Sequence, residues 1–492
     1  MPNSLGTRAQ PWLVFFGLLA FALLMRAQTL NNPVLGFDEQ FYLLVGDRML
    51  HGAVPYVDIF DRKPVGLFLI YAAIRKLGGD GFVEYKLVAC GFAAATSFLI
   101  YYAARPIGNV FAAIVAACLY ILWLNLTGGE GGQAQVFYNL PVLAAGILTW
   151  RTVQTHRRDA LGFAAMLLVG VAIQIKYTAV FEGVFFGIAL LWAHYQARPR
   201  LLSLIIDGIQ LASCALLPTA LAMLAYWRMG ALQPFIFANF LSEFGRVADP
   251  LAAQLIGLVK LIGVLSPLLL FCALSQRNRK PEASAGLNFP LLWLGAALLG
   301  VLLFGSFLSA QYCMPVLVPA CIAAAPFFAR YGRARTVASI TIALAALAGQ
   351  VGLARSEFRN GGPIQAQALA QAAEPRRGCI YVYDGYPALY MLTRSCLPTR
   401  WVFPGHLNTS DEDSAKALGV DPATEVRRIL ATQPDVIVDD APAYELGNRE
   451  TRALVETELA RDYHLETTVK TGPTRSRLVY RLNTPVTGAL SR

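Results

Sequence analysis

Apolar residues along this chain fall in blocks of about 17–25, the length a helix needs to cross a lipid bilayer, and short polar stretches separate them. The pattern predicts spans at 11–30, 82–104, 107–125, 136–150, 160–175, 178–195, 202–227, 251–274, 287–309, 315–329 and 336–353, about eleven crossings in all. From about 355 onward the blocks give way to shorter runs. Residues 379–383 and 435–438 read as buried strands, 425–431 and 451–461 as helices, and 477–481 as a last strand. Such alternation implies a small α/β unit. The expected fold class is a polytopic α-helical membrane protein with a small C-terminal α/β domain, divided into 1–354 and 355–492.

Three segments between spans carry a pattern of their own. In 31–81, the run 39–50 places Phe41, Leu44, Val45 and Leu50 at near-helical spacing, which predicts a helix lying flat on the membrane surface. The apolar run 65–77 is too short to span and is expected to dip in or pack at the interface. Segment 126–135 is rich in glycine, and 228–250 is rich in Phe.

Charge refines the picture. The 41 Lys and Arg exceed the 31 Asp and Glu, giving a net charge of +10. That balance would suit nucleic acid, but no nucleic-acid motif accompanies it. The basic residues instead recur at every second crossing: Arg105; Arg151, Arg157 and Arg158; Arg198 and Arg200; Arg277, Arg279 and Lys280; Arg330, Arg333 and Arg335. This is the signature of cytoplasmic loops. It places residues 1–10 inside and, after an odd number of spans, the tail outside. Only Arg8 precedes the first apolar run, and no clean cleavage site follows it, so that run reads as a retained helix.

Six of the eight cysteines lie in or beside apolar spans, where they serve as small core residues. Cys379 and Cys396 lie in the tail, where an oxidising compartment permits them to pair. His51 and His406 both fall on the expected outer face, but no metal-ligand spacing appears. No cofactor is implied, and a divalent metal finds no support in ligand spacing.

Candidate chemistry gathers in the outer segments. Asp38 and Glu39 follow the first span directly. A carboxylate near a bilayer is costly to hold and generally has a task or a partner. Asp38 reads either as a general base toward an acceptor hydroxyl or as a helix cap. Arg62 and Lys63 read as a clamp on an anionic phosphate or as interfacial snorkelling side chains, and Asp58 and Asp61 as substrate contacts or as their counter-charges. Glu130, the only charge in 127–135, is a second acid or sugar-binding group, or part of a flexible turn; no Gly-Lys-Ser/Thr follows, which excludes a nucleotide loop. Lys176, set between two spans, is placed to reach a phosphate or to snorkel. Glu182, deeper in the next span, is expected to pair with another polar group. Tyr312 reads as a cavity-lining or an aromatic-belt residue. The segment 228–250, with Arg246, reads as a lid or, with slight preference, as an interfacial helix.

Taken together, Gly36-Phe37-Asp38-Glu39, Tyr56-Val57-Asp58, Arg62-Lys63-Pro64 and Tyr312-Cys313-Met314-Pro315 resemble the GT-C glycosyltransferases, in the branch shared by protein O-mannosyltransferases and bacterial aminoarabinose transferases. The resemblance implies an enzyme of a bacterial plasma membrane. Such an enzyme moves a sugar from a polyprenyl-phosphate carrier to an extracytoplasmic glycolipid, polysaccharide or protein, with inversion. It implies Asp38 as the base or acceptor-orienting acid and Lys63 as a donor-phosphate contact; the residue chemistry adds Glu39 to the catalytic pair and Arg62 and Lys176 to the phosphate contacts. Asp58, Asp61, Glu130, Gln135, Arg246 and Tyr312 are then substrate contacts. One departure stands out: many relatives carry an acid in the second outer segment where this chain has Gln133 and Gln135. A transporter or flippase of an amphipathic lipid is the alternative. Against it, the chain shows neither an inverted repeat nor a matched pair of Gly/Pro-broken spans.

Overall fold

The computed structural model describes residues 11–155, 160–197, 199–277, 284–330 and 332–483. The expected cytoplasmic segment 1–10 and the loop residues Arg157, Arg158, Arg198, Arg279 and Lys280 lie outside them. Up to residue 360 the chain is a succession of helices: α1 (Pro11–Arg26), α2 (Phe37–Leu50), α3 (Val65–Arg75), α4 (Phe82–Ala104), α5 (Val110–Leu126), α6 (Ala134–Thr155), α7 (Ala160–Ile173), α8 (Val180–Ala197), α9 (Leu201–Arg228), α10 (Leu232–Ile236), α11 (Leu251–Gln276), α12 (Ser284–Phe304), α13 (Met314–Phe328) and α14 (Arg333–Asn360). Each predicted span coincides with one of these. Among the described residues, seven helical stretches are long and apolar enough to cross a membrane; α5, α7 and the described part of α12 are apolar but shorter.

The core of the bundle is α13, which packs against α5, α11 and α12. Its run Ala320–Ala325 is fully buried, and small side chains there let neighbouring helices approach closely. The start of α5 is fixed by Asn109, whose side chain accepts from the Ala112 amide at 2.9 Å, the usual role of an Asn N-cap.

The expected surface helix at 39–50 exists as α2, but it does not lie on a surface. Glu39 through Gly46 are all buried, so α2 has no polar face turned to headgroups. The cause is contact on two sides. Beneath, α3 packs so closely that a Cβ on Gly46 would lie 2.7 Å from the backbone of Tyr71 and Ala72. Above, the tail docks: the Ala388 amide donates to Gln40 at 3.2 Å and Arg48 donates to the Ser395 carbonyl at 2.6 Å.

Helix α14 carries the chain through residue 354 without a break. Beyond it lies a four-stranded sheet of order β1-β2-β4-β3, formed by β1 (Ile380–Val382), β2 (Val436–Ala441), β3 (Tyr463–Lys470) and β4 (Ser476–Leu482). β1 and β2 run parallel, and the other pairs are antiparallel. Helices Pro422–Ala431 and Arg449–Asp462 fall where the sequence predicts them, whereas β3 is an addition. A disulfide joins Cys379 to Cys396.

Candidate functional site

A cavity of about 1180 Å³ opens between the helical part and the tail. Asp38, Asp61, Arg62, Lys63, Lys176, Arg246 and Tyr312 line it, whereas Glu39, Asp58, Glu130 and Gln135 do not. The expected residues thus divide into seven that converge and four that stand behind or beside them.

Asp38 sits in the first turn of α2, where the helix dipole favours a negative charge. It is not the cap. Gly36 holds that position at φ +71°, and no side chain caps the helix. The turn demands glycine twice over, because a Cβ there would also meet the Glu39 carboxylate at 2.3 Å. One oxygen of Asp38, Oδ2, accepts from the amide nitrogens of Gln133 at 3.3 Å and Gln311 at 3.2 Å. The Gln133 amide also donates to Glu39 at 3.2 Å. Glu39 is only 2% exposed. Burial, then the neighbouring Asp38 and Glu130, hold its carboxyl well above the usual range. Burial thus favours the protonated form of Glu39, which stands behind Asp38 and does not line the cavity.

The other three stand apart for local reasons. Asp58 accepts from the Val54 amide at 2.6 Å and closes its own turn. Glu130 has a buried oxygen with no hydrogen-bond partner among the described residues, and burial raises its pKa. Gln135 is fully buried, and neither of its amide atoms finds a partner among the described residues. Glu182 is also buried, and its Oε1 has no hydrogen-bond partner among the described residues, in contrast to the expected polar pairing.

Two amines face Asp38 across the cavity. Lys63 lies 3.6 Å from Asp61 and over the Tyr42 ring at 5.7 Å. Burial opposes its charge, but Asp61 and Asp38 prevail and hold the ammonium above its ordinary range. Lys176 is 5% exposed, sits 4.4 Å from the centre of the Tyr312 ring and has no hydrogen-bond partner among the described residues. Burial, then repulsion from Lys63, lowers its pKa to about 7. A buried amine without a hydrogen bond is costly to hold and suits the binding of an anion.

Arg62 faces a different task. Its guanidinium forms a bidentate pair with Glu412 at 2.6 Å for each bond, and also donates to Ser242 at 2.7 Å and to the Ala417 carbonyl at 2.9 Å. A phosphate would have to displace Glu412. Arg246 likewise pairs with Asp411 and, at 3.3 Å, with Glu412. These pairs clasp segment 228–250 and the first loop to the tail. The segment is not one interfacial helix: α10 passes into a π turn at Phe237–Leu241 and a 3₁₀ turn at Ser242–Gly245. Tyr177 donating to Asn239 and Ser242 donating to the Ala417 carbonyl hold it in that broken path. Glu412→Ala leaves Arg62 buried and only partly paired. It is expected to destabilise the fold by about 3–5 kcal/mol, read as a lower thermal midpoint in detergent. Glu243→Ala, at an exposed pair, is expected to change it by less than about 1 kcal/mol. Equal midpoints for the two variants would contradict the clasp.

His406 lines the cavity within an aromatic box, 5.1 Å from the Phe60 ring and 5.2 Å from the Phe403 ring. Burial, then Arg62 and Lys63, keep it neutral. Among the described residues, no group of three or more His, Cys, Asp or Glu side chains converges as a metal would need. The sequence reading did not single out Gln311 or the tail residues that complete the wall.

No family model matches the chain, and no curated protein matches it. Its fold, however, is shared with solved structures. ArnT from Cupriavidus metallidurans, bound to undecaprenyl phosphate, aligns over 96% of this chain and 98% of its own with a TM-score of 0.58 at 14% identity. An Archaeoglobus fulgidus oligosaccharyltransferase, tethered to an acceptor peptide, aligns over 99% of this chain and 76% of its own with a TM-score of 0.53 at 12% identity. The chain shares its fold with these two proteins, and among its described residues seven helical stretches are long and apolar enough to cross a membrane.

Proposed function

We propose that the protein is an inverting glycosyltransferase that moves a sugar from a polyprenyl-phosphate donor to an extracytoplasmic acceptor. The observation that carries this reading is the convergence, in one cavity, of a carboxylate held by two amides and two amines, one of them without a hydrogen-bond partner among the described residues. In the proposed reaction Asp38 removes the proton of the acceptor hydroxyl, whose oxygen attacks the anomeric carbon. The bond from that carbon to the phosphate oxygen breaks on the opposite face, and its electron pair leaves with the polyprenyl phosphate. Lys63 and Lys176 meet the charge that develops on the phosphate. A phosphate leaving group met by cations requires no strong acid, which accords with Glu39 standing outside the cavity lining. Tyr312 and Asp61 position the two cations.

In this reading the helices of residues 1–354 cross the membrane about eleven times, with the N-terminus cytoplasmic, and residues 355–492 cap the outer face of a bacterial plasma membrane. The alternating basic loops and the Cys379–Cys396 disulfide support that orientation. The isoprenoid chain would lie among the lipid-exposed apolar side chains. The relative bound to undecaprenyl phosphate supports the donor class.

The test is mass spectrometry of envelope glycolipids and polysaccharides from cells with and without the protein. The expected result is loss of one sugar substituent together with accumulation of its polyprenyl-phosphate form. An unchanged set of glycans and carriers would overturn the proposal.

A further inference from the structure

The cavity has a second polar wall, contributed by the tail and not needed for the donor. Asp384, Tyr386, Asn408, Tyr444, Arg475 and Arg477 form it. They gather where the two parallel strands end. Asp384 follows β1, and its amide donates to Val438 of β2 at 3.3 Å; Arg477 pairs in register with Asp440 at the end of β2. Ligands of α/β sheets bind beyond the carboxyl ends of parallel strands.

Each charge in this wall has an opposite neighbour, but the hydrogen bonds are incomplete. The Asp384 carboxylate lies 3.7 Å from Arg452 and 4.0 Å from Arg477. Neither is a hydrogen bond, and no other described donor reaches that carboxylate. Arg477 is 4% exposed, pairs with Asp440 and stacks over Tyr386 at 4.3 Å, yet its Nε–H has no partner among the described residues. Arg475 reaches Asp440 at 3.5 Å and is 38% exposed. Tyr444, 46% exposed, offers a free ring at the same wall.

Resting on the glycosyltransferase reading, we infer that this wall is the acceptor subsite and that the acceptor it takes is a carbohydrate. Asp384 accepts from sugar hydroxyls, Arg475 and Arg477 donate to ring and hydroxyl oxygens, and the electron-rich face of Tyr444 takes the C–H face of a pyranose. A polypeptide suits the wall less well. It would add to a sheet along an open strand edge, whereas the cavity meets the ends of strands, with β2 paired on both sides.

The experiment uses the full chain in detergent and two probes. One is undecaprenyl phosphate. The other is the oligosaccharide mixture released by mild acid from the envelope polysaccharide of cells that make the protein. Saturation-transfer NMR reads oligosaccharide contact, and calorimetry reads both affinities. Asp384→Asn, which keeps shape, and Arg475→Ala, at a half-exposed site, are each expected to weaken oligosaccharide binding by about tenfold, one lost charged hydrogen bond. Undecaprenyl phosphate affinity should stay within about twofold of the unmodified chain, which also reports that the variants fold. Unaltered oligosaccharide binding in both variants overturns the inference, as does failure of the unmodified chain to bind the mixture, or displacement of the mixture by an unglycosylated peptide. Failure of the unmodified chain to bind undecaprenyl phosphate, with oligosaccharide binding intact, counts instead against the donor assignment.

Discussion

Asp38→Asn is expected to lower sugar transfer by about 10²–10⁴-fold, the range a positioned general base contributes, while undecaprenyl phosphate still binds. The substitution keeps the shape of the side chain and an oxygen to accept from Gln133 and Gln311, but removes the ability to take a proton. Those two amides hold Oδ2 alone, which leaves the other oxygen to take the proton in the proposed reaction. Glu39→Gln is the informative comparison. Burial, then Asp38 and Glu130, push Glu39 toward its protonated form, and it does not line the cavity. Its amide counterpart resembles that form, and the expected loss is far smaller. Equal losses in the two variants, measured as turnover with a polyprenyl-phosphate sugar at saturating donor, would mean that proton removal is not Asp38's task.

The helices were legible because each is written as an apolar block of its own length, and α13 could be placed as readily as α1. The carboxylate and the amines were legible because charge beside a bilayer is rare enough to stand out. What escaped has physical reasons. The run 39–50 reads as amphipathic, yet Glu39 through Gly46 of α2 are buried, because the polar members Glu39 and Gln40 face Gln133 and the tail and not water. β3 alternates polar residues along an edge, with only Tyr463 fully buried, so no hydrophobic run announces it. Gln311 lies far from Asp38 in sequence, and a neutral amide carries no signal until the fold brings it within 3.2 Å. Arg62 looked interchangeable with Lys63. Only the fold shows that a tail carboxylate, Glu412, occupies it.

The two lysines make the second large prediction, and its sign follows from their opposite environments. Lys63 is held protonated by Asp61 and Asp38 against the pull of burial, and stays charged through neutral pH. Lys176, depressed to about 7 by burial and then by Lys63, loses its proton in the physiological range. Below that pH both amines are cations and a donor phosphate is held twice; above it only Lys63 remains. Affinity for undecaprenyl phosphate is therefore expected to fall as pH rises through about 7. A charge-assisted hydrogen bond is worth about 1.5–3 kcal/mol, so the fall should reach about 10–100-fold. Lys176→Met should bind weakly with no such fall. Lys63→Met should also bind more weakly, but with the fall displaced to higher pH, because the repulsion that lowers Lys176 has gone. Binding must then draw a proton onto Lys176, since the phosphate stabilises its charged form, and the binding enthalpy of the unmodified chain near pH 7 should vary with the ionisation enthalpy of the buffer. A pH profile left unchanged in Lys176→Met, or a fall that does not move in Lys63→Met, would separate these amines from the phosphate and leave the cavity without its leaving-group site.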